Sequence, residues 1–178
     1  MLRGINVGGA RNITMAALKA LYESLGFTGV VTYIQSGNVI FRAKEKNASS
    51  VSESIADGIG KKFGFEVTVI VRQPAELASV VKKNPFVGRR GIDETRLHVT
   101  FLRETPSAAF VKALAPLTAK SRDEHEVIGR EIYLHCPNGY SKTLLNNTFF
   151  EKNLKVAATT RNWNTVKTLH SIARGETT

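Results

Sequence analysis

The sequence predicts an α+β protein built from two successive β-α-β-β-α-β units, each followed by one further helix. Three observations carry this reading. Apolar stripes at helical spacing alternate with short β-branched runs, the same element order occurs twice, and a stretch bearing Pro and Gly separates the copies. The order repeats although the two halves share little identity.

Leu2 to Asn6 opens the chain as a short strand. Met15, Leu18, Leu21, Tyr22 and Leu25 then form one helical stripe over 15–25, with Thr14 as cap and Gly26 as stop. The runs Val30 to Ile34 and Val39 to Phe41 flank Gln35-Ser36-Gly37-Asn38 and read as a hairpin. Ser49 or Ser50 caps a helix carrying Val51, Ile55 and Ile59, which Gly64 ends. Glu66 to Val71 alternates into a fourth strand. Pro74 opens the extra helix, through Leu77, Val80 and Val81, stopping near Asn84-Pro85.

In the second half Leu97 to Leu102 is a strand, and Thr105-Pro106 caps a helix carrying Phe110, Val111 and Leu114. Strands at Glu126–Ile128 and Glu131–His135 turn at Gly129-Arg130. Ser141 starts a helix with Leu144, Leu145, Phe149 and Phe150, and Val156 to Thr160 is the last strand. Trp163, Val166, Leu169 and Ala173 mark the closing helix. This order in each half is that of a ferredoxin-like unit, with helices on one face of each sheet. The first unit spans 1–84 and the second 97–178. A linker, 85–96, holds Pro85, Gly88 and Gly91.

Hydrophobic residues make up 42% and charged residues 22% of the 178, which suits a folded core rather than disorder. No apolar run approaches the ~20 residues that span a bilayer, so no membrane partner is expected. The N-terminus lacks a secretory pattern, and a lone cysteine, Cys136, fits the reducing cytoplasm. The net charge of +10 draws phosphates. It is uneven, with 13 Lys and Arg against 6 Asp and Glu in residues 1–90 and 12 against 9 in the rest. The basic residues stay scattered, without a run of five, and so serve equally as a solvated surface.

Four stretches matter together: Leu2-Arg3-Gly4-Ile5-Asn6-Val7-Gly8-Gly9, Tyr33 to Phe41, Asn84-Pro85-Phe86, and Thr159-Thr160-Arg161-Asn162-Trp163-Asn164-Thr165. In that order the chain resembles the bacterial family of unknown function DUF1697 over almost its whole length. The resemblance implies a pair of ferredoxin-like units and no established reaction. It also implies residues ahead of the Leu-Arg-Gly motif. Met1 stands immediately before Leu2 here, so the first strand is shortened and the natural start is expected upstream.

In a ferredoxin-like unit the exit loop of the first strand and the hairpin after the second lie at one end. That places Asn6, Gly8 and Gly9 beside Gln35, Ser36 and Asn38, where backbone N–H groups face a small anion, with charge from Arg3 or Arg11. The same residues also suit a tight strand-to-helix turn and a plain hairpin. Arg161, Asn162 and Asn164 form a second polar group. Either asparagine suits a helix cap, and a positive residue at a helix start suits an anion on the same N–H groups.

Enzyme motifs are missing. There is no Gly-x-Gly-x-x-Gly, no P-loop and no nucleophile elbow around Ser36, and Ser79-x-x-Lys82 lacks its companion motifs. His98, His125, His135 and His170 have no metal-ligand spacing, so neither metal nor cofactor is predicted. The reading is a cytoplasmic protein of unknown molecular function that binds, and by extension turns over, a small anionic or phosphorylated metabolite. The alternative is a nucleic-acid-binding module using its basic surface and the strand aromatics Phe41, Phe101 and Tyr133. Catalytic residues and oligomeric state are not assigned by these residues.

Overall fold

The computed structural model describes residues 1–9, 11–45 and 47–176. Ala10, Lys46, Thr177 and Thr178, which fall inside the two predicted units, lie outside the described residues. Among the described residues the fold is mixed α+β, with six α-helices and two antiparallel sheets. It divides into unit 1, Met1–Gln73 with Ser171–Thr178, and unit 2, Pro74–His170.

In unit 1 helix α1, Met15–Ser24, starts at Thr14, whose hydroxyl accepts from the Ala17 N–H. Strands β1, Thr28–Tyr33, and β2, Asn38–Arg42, form the hairpin. Thr28 lies opposite Arg42 but Val31 opposite Ile40, so β1 carries one extra residue beside Gly29, whose φ is +61°. Helix α2, Ala48–Phe63, is capped by Asn47 rather than Ser49 or Ser50: the Asn47 carboxamide oxygen accepts from both serine N–H groups. Gly64, at φ +79°, ends it.

The predicted strands at 2–6 and 66–71 shrink to a single bridge, Leu2 with Val69. Leu2 N–H donates to the Gly37 carbonyl on one side, while Arg3 N–H donates to Thr68 and Ile70 N–H to Met1 on the other. The ladder stops there because Gly4 and Asn6 take left-handed φ values of 67° and 54°. Leu2, Ile5, Leu18, Tyr22, Ile55 and Ile59 fill the core of this unit. Phe41 lies with Tyr22 and Phe27 in an aromatic cluster at ring separations of 5.2 and 4.6 Å. At Gly58 a Cβ would come within 3.3 Å of Leu21 and Leu25, so glycine there lets α1 lie close on α2.

Unit 2 begins with α3, Pro74–Lys83, followed by β3, Leu97–Leu102. Helix α4, Ala108–Thr118, is capped by Ser107, not at Thr105-Pro106, because Pro106 biases Thr105 towards extended backbone. Strands β4, Glu124–Ile128, and β5, Glu131–His135, lead to α5, Asn147–Leu154. Strand β6, Ala158–Asn162, passes directly into α6, Trp163–Ala173. The antiparallel order is β4-β5-β3-β6.

Ser141 does not start α5. It sits in a 3-10 turn, Tyr140–Lys142, and Thr143 then runs extended, so the helix waits for the Asn146 cap. Leu144 is consequently exposed. One sheet face, with Leu102, Ile132, Leu134 and Cys136, packs against Leu114, Leu145 and Phe150. On the other face Phe101 and Tyr133 are buried, and the Tyr133 hydroxyl donates to the Val80 carbonyl of α3 at 3.2 Å. Arg130 pairs with Glu76 of α3.

Candidate functional site

The loop leaving the first extended segment of unit 1 is organised by one side chain. The Asn6 carboxamide donates to the carbonyls of Ile13, at 2.9 Å, and Gln35, at 3.0 Å, and accepts from Ile13 N–H at 2.8 Å. Its backbone N–H reaches the Arg11 carbonyl, and Asn12 donates to the Gly9 carbonyl at 3.1 Å. The loop is therefore closed on itself and tied to the hairpin tip. Asn6 acts as a strut, with both amide hydrogens committed to backbone.

Among the described residues of the loop, Asn6, Gly8, Gly9 and Arg11 hold left-handed φ. Gly8 and Gly9 are exposed with open space around them, and Arg11 places its guanidinium about 4.0 Å from where a Gly4 Cβ would sit. Arg3 is half-buried at the base. At the hairpin tip the buried Asn38 donates to the Ser36 hydroxyl at 2.8 Å and closes the turn. Gln35 stays exposed. Ile34 is the unexpected residue: a β-branched side chain at φ +47° and 49% exposed. Such a conformation costs of order 1–2 kcal/mol, and backbone strain of this kind concentrates at binding sites. No sequence signal marks it, because isoleucine is among the residues least expected there.

The second predicted group lies in unit 2. Arg161 sits on β6, not at the helix start, and is only 8% exposed. Its guanidinium donates to the Thr159 hydroxyl and the Thr160 carbonyl, and burial draws its pKa down to about 10, which keeps it charged at neutral pH. Asn162 caps α6 by accepting from Thr165 N–H at 2.8 Å, which takes up one of the helix-end N–H groups suggested for an anion. Asn164 is exposed. The buried Trp163 indole N–H meets no acceptor among the described residues.

Asn84 in the Asn-Pro-Phe motif accepts from Phe86 N–H and makes a turn. Among the described residues no three of His, Cys, Asp and Glu are grouped to hold a metal, and no helix is long and apolar enough to cross a membrane. Cys136 is buried, and desolvation pushes its thiol up to about 11, which leaves it a poor nucleophile. His98 stacks on Tyr140 at 4.7 Å, and burial favours its neutral form.

Glu124 joins Arg89 and His135, accepting from the Arg89 guanidinium at 3.0 Å and lying 3.0 Å from His135 Nδ1. The His135 hydrogen bond, then Arg89, hold its carboxyl below the usual range. A carboxyl lowered in the folded state adds stability above its unfolded value of about 4.3 and loses it as pH falls through the folded one. Glu124→Gln is therefore expected to lower the unfolding free energy measured in urea slightly at neutral pH, by less than ~1 kcal/mol for so exposed a group. The deficit should vanish in acid. A deficit equal at both pH values would contradict the pairing.

A family model described as "Protein of unknown function (DUF1697)" matches residues 1–133. Among solved structures, a conserved bacterial protein from Streptococcus pneumoniae is similar, with TM-score 0.67 and 20% identity over 97% of this chain and 96% of that one. At that identity the likeness concerns the fold alone. A search of curated proteins finds no match.

Proposed function

The chain belongs to the DUF1697 family, and from that premise we propose that its first unit binds a small anionic or phosphorylated metabolite at the corner made by residues 6–9, 11–12 and 34–38. The observation that carries the reading is the Asn6 strut. It ties two exposed loops together through a 3.0 Å hydrogen bond to the Gln35 carbonyl and leaves Gly8, Gly9, Arg11 and Gln35 around the tip. Arg3 supports the base, Ser36 and Asn38 hold the hairpin, and Arg161, Asn162 and Asn164 act as structural residues of the second unit.

We read both sequence halves, 1–84 and 97–178 joined by 85–96, as built around a ferredoxin-like unit, with α3 at the end of the first half grouped in unit 2. The order β4-β5-β3-β6 with α4 and α5 as crossovers supports this for the second. Residues 1–3, bonded to Gly37 on one side and to Thr68 on the other, support the same order for the first. The nucleic-acid alternative has the net charge of +10 in its favour, but Phe101 and Tyr133, at 0% and 1% exposure, offer no stacking face. The small-anion reading is therefore preferred, with a cytoplasmic setting.

The test is a thermal-shift series on the full chain with inorganic phosphate, nucleotides, sugar phosphates and carboxylates. A ligand at ~100 times its Kd adds about 2.7 kcal/mol, roughly 5–10 °C for a chain of this size. Arg11→Ala, on an exposed side chain, should abolish the shift. A shift that survives Arg11→Ala removes this corner from consideration.

A further inference from the structure

Unit 2 holds a second polar concavity that no sequence motif marks. The connection from α4 to β4 and the connection from β5 to α5 meet around an open depression of about 460 Å3, lined by Ser121, Arg122, Asp123, Asn138, Lys142 and Leu144. Its volume lies in the range of small-molecule pockets.

The two lips are fixed in place. Buried Thr143 donates its hydroxyl to Asp123 Oδ2 at 2.6 Å and accepts from the buried Leu145 N–H at 2.9 Å. Asp123 N–H is held by the Ser121 hydroxyl at 3.0 Å. On the other lip Gly139 N–H donates to Cys136 and Lys142 N–H to Gly139, anchoring that loop to the end of β5. The depression is thus preformed, as a binding site must be to avoid ordering costs.

Its chemistry is specific. Arg122 and Lys142 are exposed cations that enter no ion pair among the described residues. Ser121 and Asn138 add neutral donors. Asp123 has one oxygen engaged by Thr143 and keeps the other as an acceptor, and Leu144, 77% exposed, adds an apolar edge. A bare phosphate would use the cations but suffer repulsion from Asp123. A phosphate ester with hydroxyl groups uses both.

We propose that this depression binds a phosphorylated polyol, with its phosphate between Arg122 and Lys142, a hydroxyl donating to Asp123, and its carbon frame against Leu144. The site is independent of the corner in unit 1. Two lone cations beside a carboxylate do not make a track for a nucleic-acid backbone.

The experiment titrates the isotope-labelled full chain with ribose 5-phosphate, with inorganic phosphate and ribose as parallel arms, following backbone amide shifts. Saturable shifts are expected at 121–123 and 138–144. Arg122→Gln and Lys142→Gln, both on exposed side chains, should each weaken binding about tenfold, the value of one charge-assisted hydrogen bond. Asp123→Asn keeps the acceptor for Thr143. It should weaken ribose 5-phosphate while strengthening inorganic phosphate. The proposal is overturned by an absence of saturable shifts with ribose 5-phosphate, by shifts that map to 6–9 and 35–38 instead, or by an Asp123→Asn variant that treats both probes as the parent does.

Discussion

Gly37→Ala is expected to destabilise the protein by about 3–4 kcal/mol and to lower its melting temperature by roughly 6–15 °C, through two separable causes. Gly37 sits at φ +74°, where any Cβ is strained. That same Cβ would also stand 2.8 Å from Leu2 Cβ and 3.0 Å from Ile5 Cδ1. The Leu2 atom is next to backbone and cannot swing aside. Moving it would disturb the bond from Leu2 N–H to the Gly37 carbonyl, which links residues 1–3 to the hairpin. Gly64→Ala is the control. Its φ is +79° and its surroundings are open, so it carries the conformational part alone, about 1 kcal/mol. Equal losses for the two variants, measured by chemical denaturation, would show that the packing of Gly37 on Leu2 is not tight.

Asn6→Ala is expected to cost about 2–3 kcal/mol, the loss of three hydrogen bonds plus an alanine forced to left-handed φ. Asn6→Asp separates these contributions. Aspartate tolerates the conformation and still accepts from Ile13 N–H, but its second oxygen faces the carbonyls of Ile13 and Gln35. Repulsion there raises the carboxyl pKa in the folded state, so the penalty is greatest at neutral pH and shrinks as pH falls and the group is protonated. Urea midpoints across that range check the sign. An Asp variant that loses stability towards acid, or an Ala variant equal to the parent, would remove Asn6 from its place as the strut.

Much of the element order was legible because local signals agreed with the final packing. Glu131–His135 lies between Gly129-Arg130 and Cys136-Pro137 around a continuous Ile132-Tyr133-Leu134 centre, so its bounds match. Thr14 and Gly64 are strong helix punctuation and act as such. Where reading and structure part, a tertiary contact decides. Ser141 and Leu144 fit a helical pattern, but Thr143 is held extended by Asp123, twenty residues earlier in the chain. Glu124 and His125 are weak strand formers, yet they pair with β5 across a two-residue turn and extend β4 backwards. Residues 2–6 complete the expected element order as an opening strand, and left-handed residues at 4 and 6 cut it short.

The candidate corner was legible only through topology. Nothing in the letters joins Asn6 to Gln35; the expected order of strands does, and the carboxamide bond between them is what that order produces. The strain at Ile34 and the depression around Lys142 had no local signature, since both depend on how distant loops meet.

β1 has no charged residue between Thr28 and Tyr33 and, among the described residues, pairs with β2 alone. A straight, neutral border of that kind is a template on which a strand from another molecule can add, the first step of aggregation. The extra residue beside Gly29 twists that border, so an incoming chain falls out of step within a few residues. On the other sheet the border strand β4 relies on charge instead, with Glu124 and Glu126 exposed along it. The β1 and β4 borders are thus guarded by different means, crookedness on one and repulsion on the other.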